Sequence, residues 1–136
     1  MLKPGLKNIL LFIFLKYLLF YIFMMFKNDN YTLVQIWKLK TFGDWIYYLY
    51  IFLSLPALYC TIFIIILHFA LNSNKLLVFI PVVLAVFGLE YLIYTELASP
   101  SDYFNGLYNA LIGAAVLWLF FHKSISSKAK IFPTNS

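Results

Sequence analysis

The sequence contains no arginine, a single cysteine and only five acidic residues. Charged residues make up 11% of the chain, whereas soluble proteins contain roughly a quarter. A nucleic-acid-binding protein would be expected to use arginine for phosphate and base contacts, so we predict no nucleic-acid partner. The single Cys60 excludes an intrachain disulfide and any metal site built on a cysteine pair.

Apolar residues dominate instead, at 64% of the 136 residues and a mean hydropathy of +0.89. Four apolar runs are long enough to cross a hydrocarbon layer of ~30 Å. They cover residues 9–26, 45–71, 76–97 and 106–122. We therefore predict an all-α integral membrane bundle of four transmembrane helices in a single domain, with the lipid bilayer as its surroundings. Residues 123–136 are expected to form a polar C-terminal tail.

Local features refine these spans. Lys16 interrupts the first run and KNDN follows it, so the run is expected to be an uncleaved span rather than a secretory signal. Pro56 predicts a kink in the second span, and Pro81 is expected in the first turn of the third. The short NSNK segment predicts an antiparallel hairpin between these two spans. YTLVQIWKLKTFGD mixes tryptophan and lysine, which favours a short interfacial helix before the second span.

Lysine positions predict the orientation. Four spans place both termini and the 72–75 turn on one side, which carries six lysines against three on the other. The positive-inside rule then predicts cytoplasmic termini. An all-lysine basic set in a chain rich in asparagine and isoleucine is typical of a bacterial protein, so we expect a multi-pass protein of the bacterial inner membrane.

Ionisable residues inside a span are costly and therefore are functional candidates. Lys16 lies about 10 Å past Ile9, whereas Glu90 lies about 21 Å past Leu76 or about 14 Å past Pro81. A direct salt bridge fits only if the third span enters at Pro81. Otherwise Lys16 is expected to snorkel toward the nearer membrane surface. Both alternatives remain open on the sequence.

The sequence offers no catalytic or metal-binding pattern. Glu90 and Glu96 point about 120° apart on a helix, so they do not form a carboxylate dyad. His68 and His122 share a depth without a third ligand, and no serine–histidine–acid, HExxH or phosphate-loop motif is present. We therefore expect no enzyme activity, no metal and no cofactor.

The fourth span carries a small-residue face that favours close helix contact, within the bundle or between copies. Its members are Gly106, Ala110, Gly113 and Ala114. Asn105 and Asn109 lie beside this face, where their amides are expected to bond to Glu90 or Tyr94. The face predicts helix packing and carries no chemistry.

The pattern Glu90-x11-Asp102-x2-Asn105-x3-Asn109-x3-Gly113 resembles the C-terminal signature of the VanZ-like membrane family. Asp44, which opens the segment DWIYY, is similar to the aspartate of that family's Asp-Lys-x-x-His helix start. The resemblance covers about residues 44–120 and implies a small helical envelope protein, some of whose relatives are associated with reduced susceptibility to the glycopeptide teicoplanin. Departures occur at Trp45, Tyr48, Ile93, Ser99 and Asn105.

Three functions follow as hypotheses. The first is a non-enzymatic accessory or scaffold component of a cell-envelope complex, which contacts other membrane proteins or further copies of itself. The second is a VanZ-like envelope protein that affects glycopeptide susceptibility or the handling of lipid-linked cell-wall material. The third is an oligomeric ion pathway or membrane-active effector lined by Lys16 and Glu90. The candidate residues are Lys16, Asp44, Glu90, Asp102, Asn105 and Asn109.

Overall fold

The computed structural model describes residues 3–31 and 34–129, and four long helices account for most of them. They are α1 (Leu6–Lys27), α2 (Phe42–Asn72), α3 (Leu76–Ala98) and α4 (Tyr103–Ala129). Each is long and apolar enough to span a membrane. The predicted all-α bundle of four membrane-spanning helices is therefore confirmed.

Successive helices are antiparallel neighbours around a square. α1 and α3 each pack against α2 and α4, so α1 and α3 lie at opposite corners. Asn72 donates to the carbonyl of Pro4 at 2.8 Å, which fixes the segment before α1 beside the α2–α3 turn. We call this end of the bundle the terminus side. The opposite end, which contains residues 28–31, 34–41 and 99–102, is the loop side.

α1 has the largest buried share of the four helices. In α1, 39% of the residues in an 18-residue apolar stretch are buried, compared with 17% in α2 and in α3. Its buried residues recur at helical spacing, which turns one stripe toward the other helices. They are Ile9, Phe12, Ile13, Lys16, Tyr17, Phe20 and Tyr21. Large apolar side chains cover the outside of all four helices, as expected for a surface that faces lipid.

The end of α4 differs from the predicted tail. Residues 123–129 continue the helix beyond a break at Phe121, where φ is −122° and ψ is 15°. Ser124 and Lys128 donate to the carbonyl of Leu71 at 3.2 and 2.8 Å, and Lys128 also donates to that of Ser73. The terminal carbonyls of α2 lack helical donors, so this segment satisfies them. Residues 130–136 lie outside the described part of the chain.

Two further local expectations change. Pro81 lies inside α3, which already starts at Leu76, so its placement in the first turn was wrong. The backbone N–H groups of Val78 and Phe79 bond to the carbonyl of Lys75, which begins the helix upstream of the proline. Between α1 and α2, the described residues include a 3₁₀ turn at Ile36–Lys38 and no α-helix. Pro56 lies inside α2 and is buried.

Candidate functional site

Polar side chains from all four helices meet in the middle of the bundle. Lys16 of α1 and Glu90 of α3 form an ion pair there. Tyr17 Oη donates to Glu90 Oε1 at 2.8 Å, and Asn109 Nδ2 of α4 donates to the same oxygen at 3.0 Å. We call these four residues, together with Tyr59 of α2, the polar centre. It links the diagonal helices α1 and α3, which otherwise have few contacts.

The ion pair forms with α3 beginning at Leu76, so pairing does not require the helix to begin at Pro81. α1 begins at Leu6, three residues before the predicted start, which places Lys16 about 15 Å into its helix. Glu90 lies about 21 Å into α3, and the flexible lysine side chain covers the difference. Lys16 does not snorkel, since its side chain is 0% exposed.

Aromatic rings surround the buried ammonium. Lys16 Nζ lies 4.4 Å from the ring centroid of Tyr59, 5.0 Å from that of Tyr17 and 5.4 Å from that of Phe87. The negative faces of aromatic rings attract cations, most strongly when the cation is desolvated. Carboxylate and rings together thus replace the water that Lys16 loses.

Glycines of α4 make room for this arrangement. A Cβ at Gly113 would lie 2.7 Å from Lys16 Cε and 2.8 Å from Phe87 Cε1. A Cβ at Gly106 would lie 2.8 Å from Thr95 Oγ1. The two glycines are seven residues apart, about 20° short of two full turns, so they share one face.

The remaining small residues of α4 lie off this face. Ala114 is exposed and Ala110 is half-buried. Eight residues separate Gly106 from Ala114, which rotates Ala114 about 80° away from the buried direction. Within one bundle, the packing face therefore follows Gly106, Asn109 and Gly113 instead of the four-residue repeat.

A second polar cluster lies on the loop side. Lys27 Nζ donates to Asp102 Oδ2 at 2.9 Å and to Asn105 Oδ1 at 2.6 Å. This hydrogen bond holds the pKa of the Asp102 carboxyl below its usual value. Asn105 Nδ2 donates to Ser99 Oγ at 2.9 Å. Asn109 thus makes the expected contact to Glu90. Asn105 bonds to Lys27 and Ser99 instead.

Lys27 is the site residue that the sequence analysis missed. It is the first charged residue after the first span, on the same side of the membrane as Asp102. That placement was the available signal, because opposite charges at the same end of a bundle attract each other.

Asp44 has a structural role at the start of α2. Its carboxylate accepts from the backbone N–H of Thr41 at 2.8 Å, while Thr41 Oγ1 accepts from the N–H of Asp44 at 3.2 Å. This is a capping box, which satisfies helix N-terminal donors. The three acids that carry the VanZ-like resemblance do not converge: Glu90 lies in the core, and Asp44 and Asp102 have separate partners on the loop side.

Neither histidine belongs to a metal-binding cluster. Among the described residues, no three histidine, cysteine or acidic side chains are grouped so that they could hold a metal ion. His68 Nδ1 lies 3.2 Å from Asn72 Nδ2, and the His122 ring lies 6.2 Å from that of Trp118. Both therefore make local contacts on the terminus side.

Comparison with known proteins gives no independent indication of function. No protein-family model matches the chain, and no curated protein and no solved structure matches it. The VanZ-like resemblance therefore remains a hypothesis.

Proposed function

We propose that this protein is a non-enzymatic component of a membrane complex and contacts another membrane protein through the lipid-facing surface of α4. The observation that carries the proposal is the division of α4 into two faces. Asn105, Gly106, Asn109 and Gly113 are buried and face inward, where Asn109 bonds to Glu90 and Gly113 lies against Lys16. The outward face combines small and large apolar side chains.

The outward face of α4 has the composition of a helix-packing surface. Ala114 is exposed there between Leu111, which is 58% exposed, and Trp118, which is 52% exposed. These positions follow at intervals of three and four residues and therefore share a face. Small residues beside large ones allow a neighbouring helix to approach closely.

Enzymatic and channel functions fit the geometry less well. A catalytic group must reach its substrate, but Lys16 and Glu90 are 0% and 3% exposed. Both already bond to each other inside one bundle. An ion pathway between copies would require them at the bundle surface, so the four helices would first have to separate.

Copurification from native membranes tests the proposed function. The tagged protein, extracted in mild detergent, is expected to retain a stoichiometric membrane partner. Ala114→Leu should reduce the recovered partner several-fold without changing thermal stability. Ala85→Leu, at an exposed position of α3, is the matched control and should retain it. A clean monomer without a partner, or equal loss in both variants, would contradict the proposal.

We also propose a bacterial inner-membrane location with both termini in the cytoplasm. The terminus side carries the larger share of the lysines, which supports this orientation. A fluorescent protein fused to the C-terminus should mature and fluoresce, whereas an alkaline phosphatase fusion there should be inactive. The reverse result would invert the orientation.

A VanZ-like envelope role is the second candidate, and the exposed Lys27–Asp102 pair on the loop side favours it. In the proposed orientation that pair faces the cell-wall side of the membrane. Deletion of the gene is then expected to change glycopeptide susceptibility, and Asp102→Asn should reproduce the change. Unaltered susceptibility in the deletion strain would count against this role.

A further inference from the structure

Three buried oxygen atoms of the polar centre have no hydrogen-bond partner within the described protein: Glu90 Oε2, Tyr59 Oη and Asn109 Oδ1. The first two belong to residues that line one cavity. Glu90 is 3% exposed and Tyr59 is 2% exposed, so neither reaches bulk water. Unsatisfied buried polar groups destabilise a fold, and charged ones do so most. Both atoms are therefore expected to bind a further hydrogen-bonding partner.

The two oxygens of Glu90 are used unequally. Oε1 accepts from Lys16, Tyr17 and Asn109. Oε2 accepts from none of the described residues. A carboxylate has about four lone-pair sites across its two oxygens, so Oε2 can accept a bond from an additional donor.

A cavity adjoins both unpartnered groups. It has a volume of ≈ 10 Å³ and lies among α1, α2 and α3, with Tyr17, Tyr59 and Glu90 in its lining. Most of the remaining wall is apolar and includes Leu58 and Phe63. A buried water needs roughly 10–15 Å³ and two to four polar partners, so the cavity matches one water molecule.

The charges around the cavity favour a neutral occupant. Lys16 and Glu90 carry opposite charges, so the pair offers no net charge to an ion. A cation at Tyr59 would meet the ammonium of Lys16, which lies 4.4 Å from that ring's centroid. An anion would face the carboxylate of Glu90. A small neutral molecule that both accepts and donates hydrogen bonds meets neither obstacle.

We propose that one water molecule binds in this cavity and bridges Tyr59 to Glu90. The Tyr59 hydroxyl donates to the water oxygen, and the water donates to Glu90 Oε2. Apart from this water, Tyr59 contacts Lys16 and Tyr17 through its ring. The water therefore extends the hydrogen-bonded network from α1, α3 and α4 to α2.

Infrared spectroscopy with isotopic water tests the site directly. The full chain in lipid nanodiscs, exchanged between H₂¹⁶O and H₂¹⁸O, should show one isotope-sensitive O–H stretching band from a sequestered water. Tyr59→Phe should remove the band. Tyr21→Phe should retain it, because Tyr21 Oη is also buried and unpartnered among described residues but lines a different cavity.

The unmodified protein alone can overturn the proposal, because the absence of any such band rules the water out. A band that persists in Tyr59→Phe would also refute it. Thermal stability gives a second readout. Tyr59→Phe should lower the Tm relative to Tyr21→Phe, since it removes one of the water's two partners. A Tm at or above that of Tyr21→Phe would mean that the Tyr59 hydroxyl is merely unsatisfied, against the proposal.

Discussion

Two lysine–carboxylate pairs connect α1 to the second half of the bundle, and they differ mainly in their surroundings. Lys16–Glu90 lies in the core with side chains 0% and 3% exposed. Lys27–Asp102 lies at the loop side with side chains 28% and 38% exposed. The residues of each pair are almost equally far apart in sequence, at 74 and 75 positions. Each pair joins a lysine ammonium to a carboxylate. The two pairs therefore differ mainly in their dielectric environment.

The comparison shows where a charge pair can determine a structure. An exposed pair gains little Coulomb energy in water and loses side-chain freedom, so it contributes little to stability. A buried pair has lost its water, so each partner depends on the other and removing one is strongly destabilising. The polar centre should therefore fix the mutual position of α1 and α3, whereas the loop-side pair should only adjust it.

Breaking the core pair should have the largest effect. Lys16→Met leaves Glu90 buried beside Tyr17 and Asn109 without a countercharge, and we expect a loss of about 3–5 kcal/mol in the free energy of unfolding. Reversible unfolding in mixed micelles measures this value.

A double variant supplies the control for that experiment. Lys16→Met combined with Glu90→Gln removes both charges and keeps an acceptor for Asn109, so it should recover most of the lost stability. If Lys16→Met alone matches the unmodified protein, the pair does not determine the fold.

Crowding the aliphatic part of the Lys16 side chain should have an intermediate effect. Gly113→Ala places a Cβ within 2.8 Å of the Lys16 side chain and of Phe87, and overpacking of this kind costs about 1–3 kcal/mol. Gly88→Ala is the matched control, because a Cβ there meets nothing within 4 Å. That variant should be neutral or slightly stabilising, since alanine favours a helix. Equal stabilities for the two variants would show that Gly113 is not required for close packing.

The sequence predicted the four helices because each is a long apolar run, and hydropathy alone reports that property. It left the Lys16–Glu90 pair open because depth in a membrane depends on where each helix starts, and a shift of three residues at Leu6 changes the depth of Lys16 by about 4.5 Å. The packing face of α4 depends on how the helix is rotated about its axis. Gly113 is buried although its neighbour in sequence, Ala114, is exposed. The contact between Lys128 and the end of α2 joins residues 57 positions apart, which no local pattern reveals.

Removing the loop-side pair should have the smallest effect and the clearest dependence on conditions. Asp102→Asn should destabilise the protein far less than Lys16→Met. The difference from the unmodified protein should shrink in 1 M salt, where the screening length falls to about 3 Å. The Lys16→Met difference should persist there, because the core pair is shielded from salt.

The pH dependence of the same variant follows from the Asp102 carboxyl. Its folded pKa lies below the usual value because Lys27 donates to it, so the folded state releases this proton more readily than the unfolded state. The resulting stabilisation is present above the unfolded pKa of about 4 and is lost as the pH falls through the lower folded value. The unfolding curves of the unmodified protein and of Asp102→Asn should therefore differ at pH 7 and converge in acid. Glu96→Gln removes one negative charge from an exposed side chain outside the Lys27 cluster. A similar profile in both variants would assign the effect to net charge instead of to the pair.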